Sequence, residues 1–155
     1  IYFRLADFRT KLPENEEDKY VVIDSLPIGN DQYEFSHNLQ SENSTSGSFN
    51  GLIYRDALSD GWFSYDMAVD NTVTNYLKVK YFSGDVGRRF KIFVDGEVLA
   101  DVTLENPYPN NFYDVYYEIP QEMIGDKDKI TVKFQAETGS FAGGIFDKLS
   151  IVKEK

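Results

Sequence analysis

The chain has 155 residues, a net charge of −10 and no cysteine. A chain of this length is expected to form one domain with a sizeable core, and the lack of cysteine excludes disulfides, thiolate nucleophiles and thiolate metal ligands. The negative charge argues against nucleic acid and anionic membrane surfaces as partners, because both repel an acidic protein. Neutral sugars, cations and basic proteins stay open as partners, and no apolar run is long enough for a membrane-spanning helix.

Residues 1–19 are predicted to be a linker or the edge of a preceding domain, and residues 20–155 a single β-sandwich domain. The stretch LPENEEDK (Leu12–Lys19) is acidic and contains proline, which is typical of an exposed linker. The apolar residues before it have no clean period and would form an exposed patch if left uncovered; they include Tyr2, Phe3 and Phe8. The chain opens on IYFRLADF without an initiator methionine, which indicates either a piece of a longer protein or a processed N terminus.

From residue 20 onward the sequence predicts about nine short strands separated by Gly, Asn, Asp and Pro. In chain order they are YVVIDSL, LIYRDA, GWFSYDMAV, YLKVKYF, FKIFVDG, EVLADVTL, FYDVYYEI, KITVKFQAE and GIFDKLSIV. Asp95-Gly96 is typical of a tight hairpin turn. The polar residues from His37 to Gly51 are predicted to be a loop, and no amphipathic helix is expected. The predicted fold class is therefore all-β, a two-sheet jelly-roll sandwich.

Alternation along the strands assigns their faces. In WFSYDMAV, the core side is predicted to hold Phe63, Tyr65, Met67 and Val69, which leaves Trp62 outward. The same rule points Tyr113, Val115, Tyr117 and Ile119 inward in FYDVYYEI, and Ile130, Val132, Phe134 and Ala136 inward in KITVKFQA.

Catalysis by this chain is not expected. His37 is the only histidine, and no Gly-x-Ser-x-Gly elbow accompanies it as a nucleophile. None of the 26 acidic residues is marked by its neighbours as a buried acid beside an ionised one. The favoured interpretation of His37 is a hydrogen-bonded residue that anchors its loop.

A calcium site is one interpretation of Asp147, which shares strand parity with the core candidates Leu149 and Ile151. A carboxylate that faces inward needs a partner, and Glu34 with nearby carbonyls would complete an oxygen cage suited to Ca²⁺. The alternative is that Asp147 pairs with Arg55 or a lysine, or caps loop amides.

A sugar site is the other candidate. Carbohydrate sites combine an aromatic face with polar groups that fork to hydroxyls. Such a cluster is predicted from Trp62, Arg55, Asp56, His37 and Asn38, with Phe141 in the glycine-rich loop GSFAGG closing over it. In the competing interpretation Trp62 covers the sandwich edge and Arg55 pairs with Asp56 or Glu42.

Several segments resemble the C-terminal β-sandwich of glycoside hydrolase family 127, the β-L-arabinofuranosidase-type enzymes of Bacteroides-like bacteria. The segments are QYEFSHNLQSENSTSG, YRDALSDGWFSYDM, RRFKIFVDG, FYDVYYEIP and KITVKFQAETGSFAGGIFDKL, within residues 23–152. The most specific motifs are Glu34-x-x-His37-Asn38, Arg55-Asp56-Ala57 and Gly61-Trp62-Phe63-Ser64-Tyr65.

That family's catalytic residues, a zinc-bound cysteine and a glutamate, lie in an upstream (α/α)₆ barrel, so none of them carries over to this chain. The resemblance implies a non-catalytic accessory domain, similar to galactose-binding-like carbohydrate-binding modules, in a periplasmic or extracellular protein of polysaccharide utilisation. The implied partners are a neutral, arabinose-containing oligo- or polysaccharide and the catalytic domain of the same polypeptide. The alternative is a purely structural domain that packs against the barrel.

Overall fold

The computed structural model of the chain describes residues 19–105 and 110–155. The predicted linker, apart from Lys19, lies outside these ranges, as do Tyr2, Phe3 and Phe8. No helix within them is long and apolar enough to cross a membrane.

Strands dominate the described part of the chain, as the sequence predicts. The strands are β1 (Tyr20–Pro27), β2 (Gln40–Phe49), β3 (Leu52–Ala68), β4 (Asn75–Phe82), β5 (Arg89–Val94), β6 (Glu97–Thr103), β7 (Phe112–Ile119), β8 (Lys129–Ala136) and β9 (Ala142–Glu154). Two short helices, α1 (Asp31–Ser36) and α2 (Gln121–Ile124), connect them.

The strands form two layers that share β3 and β9. One layer has the order β6-β5-β8-β3 with β2 beside β3, and the other has the order β9-β4-β7 with β1 beside β9. The second half of β3 pairs with β8 along residues 62–68, whereas its first half pairs with the start of β9 along residues 54–57. The predicted all-β, two-sheet jelly-roll sandwich is confirmed.

The core lies between the layers and contains the predicted inward faces. Phe63, Tyr65 and Met67 are fully buried, and the rings of Phe63 and Phe134 stack with centroids 5.1 Å apart. The inward residues of β8 are buried as well. On β7, Ile119 is fully buried, whereas Tyr113, Val115 and Tyr117 pack against the core with partial burial. The predicted hairpin is also confirmed, because Asp95 and Gly96 take φ values of 49° and 86° between β5 and β6.

The prediction of a loop between His37 and Gly51 is wrong. Residues 40–49 form β2, which pairs with β3 from Gln40 opposite Ser64 to Phe49 opposite Leu52. A tight turn with positive φ at Asn50 and Gly51 joins the two strands. Because β2 is an edge strand with mostly exposed side chains, its residues need no apolar alternation, so its sequence lacks a strand period.

The two predicted strands LIYRDA and GWFSYDMAV are one continuous strand, β3. Gly61 lies within it, where a Cβ would come within 2.7 Å of the Leu58 carbonyl and 2.8 Å of Asn43, so only glycine fits there. The sequence also gives no sign of α1, which has only six residues and is too short for a helical period. Its N-cap is Asn30, whose side chain accepts hydrogen bonds from the amides of Gln32 and Tyr33.

Candidate functional site

A buried polar network connects α1 to β3. Arg55 donates from Nε and Nη2 to the two carboxylate oxygens of Glu34, each at 3.1 Å. Its Nη1 donates to Ser44 Oγ at 3.0 Å, and the Tyr65 hydroxyl donates to Glu34. Glu34 and Arg55 are 2% and 8% exposed. The partner of Arg55 is thus Glu34, and neither Asp56 nor Glu42.

This network stays charged in spite of its burial. Burial acts to raise the pKa of Glu34, but the hydrogen bonds from Arg55 and Tyr65 and the charge of Arg55 outweigh it, so the pKa lies below its usual value. Burial and the Glu34 charge together raise the pKa of the Tyr65 hydroxyl, which therefore keeps its proton as a donor. Both oxygens of Glu34 are engaged, so the network has the properties of a structural support.

Of the two residues predicted to bind calcium, only Glu34 has its carboxylate occupied by other side chains in the structure. Glu34 is taken up by Arg55 and Tyr65, as described. Asp147 is half-buried with φ of 67°, and its carbonyl accepts the amide of Ile28 at 2.8 Å. Among the residues that the structure describes, no group of three or more His, Asp or Glu side chains is placed to hold a metal ion.

His37 and Asn38 fasten α1 to its neighbours. His37 Nε2 lies 2.9 Å from Asp24 Oδ1 on β1, and its Nδ1 lies 2.8 Å from the Tyr33 carbonyl. Asn38 donates to Asp66 on β3 at 3.1 Å. This is the loop-anchoring arrangement that the sequence favours for His37.

Trp62 is half-buried on the outward face of β3, the side to which alternation assigns it. Its Nε1 donates to Glu42 Oε1 at 3.3 Å, and the ammonium of Lys133 lies 4.8 Å from the centre of its ring. Arg55, Asp56 and Trp62 therefore have different sets of contacts, although the sequence groups them into one predicted cluster.

Asp56 belongs to a pocket of about 300 Å³ where the β2–β3 turn, the β4–β5 connection and the start of β9 meet. We call it the Arg88 pocket. Its lining includes Phe49, Tyr54, Asp56, Phe82, Asp85 and Arg88. The rings of Phe49 and Phe82 meet edge to face with centroids 5.0 Å apart, so the pocket has an aromatic wall beside its charged groups.

Arg88 is held loosely between two carboxylates. Its Nη1 lies 3.7 Å from Asp56 and its Nη2 3.5 Å from Asp85, distances longer than a good hydrogen bond. Nη1 donates to the Gly143 carbonyl at 3.2 Å. The guanidinium also lies 4.8 Å from the ring centre of Phe141, the predicted closing residue.

Both carboxylates of the pocket have perturbed acidity. Burial raises the pKa of Asp56, against the opposing charges of Arg88 and Arg55. Burial also raises the pKa of Asp85, where Arg88 opposes and the Asp56 charge adds to the shift. The arrangement offers hydrogen-bond acceptors, a forked donor and apolar rings within one small concavity, which suits a ligand with several hydroxyl groups.

Sequence reasoning missed Arg88, Asp85, Phe49 and Phe82. The only local signal is the segment FSGDVGRR (residues 82–89), in which glycines and charges indicate a turn. Nothing in it points to Asp56, because that contact joins the β4–β5 connection to β3, which lies about 30 residues earlier in the chain.

The fold is that of known carbohydrate-binding modules. A family 35 module from an environmental isolate matches with a TM-score of 0.60 and 12% identity, over 84% of this chain and 96% of that chain. The C-terminal CBM6 of LamC, a marine laminarinase from Zobellia galactanivorans, gives 0.55 and 12%, over 86% and 99%. An exo-beta-1,3-galactanase from Phanerochaete chrysosporium, solved with beta-1,3-galactotriose, gives 0.55 and 13%, over 82% of this chain and 28% of the enzyme. At these identities the similarity shows the fold alone.

The chain itself belongs to the family described as a family of unknown function (DUF6805), whose model matches residues 19–149. No curated protein matches its sequence significantly.

Proposed function

We propose that this domain is a non-catalytic carbohydrate-binding module that holds a neutral oligo- or polysaccharide in the Arg88 pocket. The observation that carries the proposal is the pairing of aromatic rings with an incompletely bonded guanidinium and two half-buried carboxylates. A sugar ring presents an apolar C–H face to such a wall and hydroxyls to such polar groups. The fold shared with carbohydrate-binding modules supports the same function.

The charge of the pocket favours a neutral sugar. Asp56 and Asp85 together outweigh the single positive charge of Arg88, and the chain as a whole carries −10. An anionic sugar would be repelled at close range in a half-buried site, where screening by salt is weak.

The proposed ligands are arabinose-containing plant glycans, and the proposed parent is a bacterial glycoside hydrolase of the family 127 type that acts in the periplasm or outside the cell. The support is the resemblance of the segments within residues 23–152. The galactanase similarity adds that this fold also occurs as a minor part of a longer enzyme chain.

A second candidate function is structural packing against a catalytic (α/α)₆ barrel. It is favoured by exposed apolar side chains near α1, where Phe35 is 86% exposed and Tyr33 48%. Large apolar side chains with this exposure are typical of interaction surfaces when they cluster. Mixing the domain with the separately produced catalytic barrel tests this candidate. If the domain packs through α1, the two proteins should associate, and Phe35→Ser should abolish the association.

Calorimetric titration of the 155-residue chain with arabinan, galactan and pectic oligosaccharides tests the sugar-binding proposal. We expect saturable heat with one neutral glycan. The affinity should weaken by about tenfold or more in Arg88→Ala and stay unchanged in Arg89→Ala, a matched control on the neighbouring residue. Silence across the panel would favour the structural candidate, and equal binding by Arg88→Ala would place the sugar elsewhere.

A structural Ca²⁺ stays a prediction. Asp147 remains a candidate ligand, but Glu34 does not, because Arg55 and Tyr65 occupy its carboxylate. A melting temperature that rises with Ca²⁺ and falls again with EDTA would establish it. No change in the melting temperature would count against it.

A further inference from the structure

The turn between β2 and β3 borders the Arg88 pocket and contains the only Asn-Gly sequence of the chain, Asn50-Gly51. Both residues are exposed and have left-handed backbone conformations, with φ of 52° and 85°. A Cβ built on Gly51 would meet no atom within 4 Å, so nothing shields the backbone on this side of the turn. Because Gly51 has no side chain, its backbone nitrogen is also unshielded from within its own residue. An exposed side-chain amide thus lies directly before an accessible backbone nitrogen.

Two Asp-Gly sequences of the chain also have a positive φ at their first residue, but there the carboxylate is held. Asp95, in the β5–β6 hairpin, accepts a hydrogen bond from the amide of Thr131 at 2.9 Å. Asp60, within β3, accepts one from the hydroxyl of Thr138 at 2.7 Å. Among the residues that the structure describes, none makes a hydrogen bond with the side chain of Asn50. Its carbonyl carbon is therefore free to approach the main chain that follows it.

We propose that Asn50 is a site of spontaneous deamidation, a covalent change of the chain that goes beyond the function proposed above. The backbone nitrogen of Gly51 attacks the side-chain carbonyl carbon of Asn50, and a C–N bond forms. The bond to the side-chain nitrogen breaks, and the proton of the attacking amide passes through water to that nitrogen, which leaves as ammonia. Water then adds to one of the two carbonyls of the cyclic imide and opens it to aspartate or to isoaspartate. Water is the only co-reactant.

The two products differ in their effect on Phe49, the residue before the turn. The ring of Phe49 lies on the wall of the Arg88 pocket, 5.0 Å from the ring of Phe82, and Phe49 pairs with Leu52 across the turn. Aspartate keeps the turn, since Asp-Gly suits the same backbone conformation. Isoaspartate lengthens the main chain by one carbon atom within a two-residue turn, whose geometry depends on its length. We therefore expect the isoaspartate form to move Phe49 away from Phe82 and to open the wall of the pocket.

Ageing of the 155-residue chain tests the chemistry without any ligand. We would incubate the chain in mildly alkaline buffer, digest samples in mildly acidic buffer, and locate the products by mass spectrometry. Methylation by an isoaspartyl methyltransferase distinguishes isoaspartate from aspartate. We expect Asn50 to lose its amide, whereas Asn43 keeps its own. Asn43 is a matched internal control, because it is exposed with φ of 57° but precedes Ser44 instead of a glycine.

Two variants connect the modification to the pocket. Asn50→Gly removes the reacting amide and keeps the positive φ that the turn requires, so its aged and fresh forms should behave alike. Asn50→Asp imitates the product with an unchanged backbone and should melt close to the parent chain. The isoaspartate form of the parent should melt at a lower temperature than the fresh chain. It should also bind the neutral glycan about three- to tenfold more weakly in calorimetry, the usual effect of losing one aromatic contact. This last expectation rests on the function proposed above.

Four results would overturn the inference: retention of the Asn50 amide, equal amide loss at Asn43, an isoaspartate form with an unchanged melting temperature, or one with an unchanged glycan affinity. If the fresh chain binds no neutral glycan, the proposed function fails. The mass spectra and the melting temperatures would still decide this inference, because neither measurement needs a ligand.

Discussion

Arg55 and Arg88 both face carboxylates, yet the two arginines are held in different ways. Arg55 donates from three nitrogens at 3.0 to 3.1 Å to Glu34 and Ser44 and is nearly inaccessible. The guanidinium of Arg88 lies 3.5 Å from the carboxylate of Asp85 and 3.7 Å from that of Asp56, and the Arg88 side chain is 26% exposed.

The difference distinguishes the structural role of Arg55 from the ligand-binding role proposed for Arg88. A buried, fully bonded pair has no donor left for a ligand, and breaking it leaves an uncompensated charge. A half-exposed guanidinium with long contacts keeps donors that a ligand can satisfy. The motif Arg55-Asp56 therefore contributes one residue to the support and the next residue to the pocket, because neighbouring residues of a strand point to opposite sides.

The largest expected effect is on the free energy of unfolding, when the buried pair of Glu34 and Arg55 is broken. Arg55→Ala leaves Glu34 buried without its cation and should lower the free energy of unfolding by about 3–5 kcal/mol, measured by urea denaturation. The double variant Glu34→Met/Arg55→Met replaces both charges by apolar groups and should recover most of that loss. A single variant as stable as the parent would show that the network does not support the fold.

Next in size is the effect on the pocket. Arg88→Ala should weaken glycan binding by about tenfold to a hundredfold, since hydrogen bonds of a charged donor are lost. It should change the free energy of unfolding by about 1 kcal/mol or less, as for other partly exposed ion pairs. The opposite pattern, intact binding with a collapse in stability, would make Arg88 a second structural arginine.

Lowering the pH should change the stability contributions of the Arg88 pocket and of the Glu34–Arg55 network in opposite directions. The raised pKa values of Asp56 and Asp85 mean that they lose their acceptor charge at a higher pH than the usual value of about 3.9. Glycan binding should therefore fall several-fold as the pH drops through those raised values, and Asp56→Asn should flatten the calorimetric profile. Their raised pKa values also mean that their contribution to stability decreases as the pH rises through the same window.

The lowered pKa of Glu34 has the reverse consequence for stability. Its contribution is complete above the ordinary glutamate pKa of about 4.3 and is lost only as the pH falls through the lower folded value. Urea denaturation at stepwise lower pH should show this loss in the parent chain but not in Glu34→Met/Arg55→Met. An identical pH dependence in both would contradict a role for Glu34.

The smallest expected effect on glycan binding is at Phe141, whose ring lies beside the Arg88 guanidinium. Phe141→Ala removes the ring beneath the Arg88 guanidinium, a contact of about 0.5–1 kcal/mol at an exposed site. Glycan affinity should drop by about two- to fivefold in calorimetry. A loss as large as that of Arg88→Ala would mean that Phe141 stacks directly on the sugar.

The fold could be predicted where the signal is local. The alternation of β3, β7 and β8 predicts their buried faces, and Asp95-Gly96 predicts its hairpin, because these features depend on neighbouring residues only. β2 could not be predicted, since an edge strand with exposed side chains satisfies its backbone through β3 without any apolar pattern. The sequence does not predict α1, because a helix of six residues is too short to show a helical period.

The site residues divide along the same line. The sequence singles out Arg55, Asp56, Trp62 and Phe141 by residue type, but it does not show which residues they contact. Glu34 lies 21 residues before Arg55, and Arg88 meets Asp56 and Phe141 only through the junction of β3, β9 and the β4–β5 connection.

By itself, the sequence determined the all-β class, the inward faces of the strands, the acidic charge and the absence of thiol chemistry. Each follows from composition or from a period of two residues. Only the tertiary structure decided which carboxylate meets which arginine, and that Trp62 faces Lys133 instead of the Arg88 pocket. Those contacts depend on strand register across two layers, where a shift of one residue would exchange the faces.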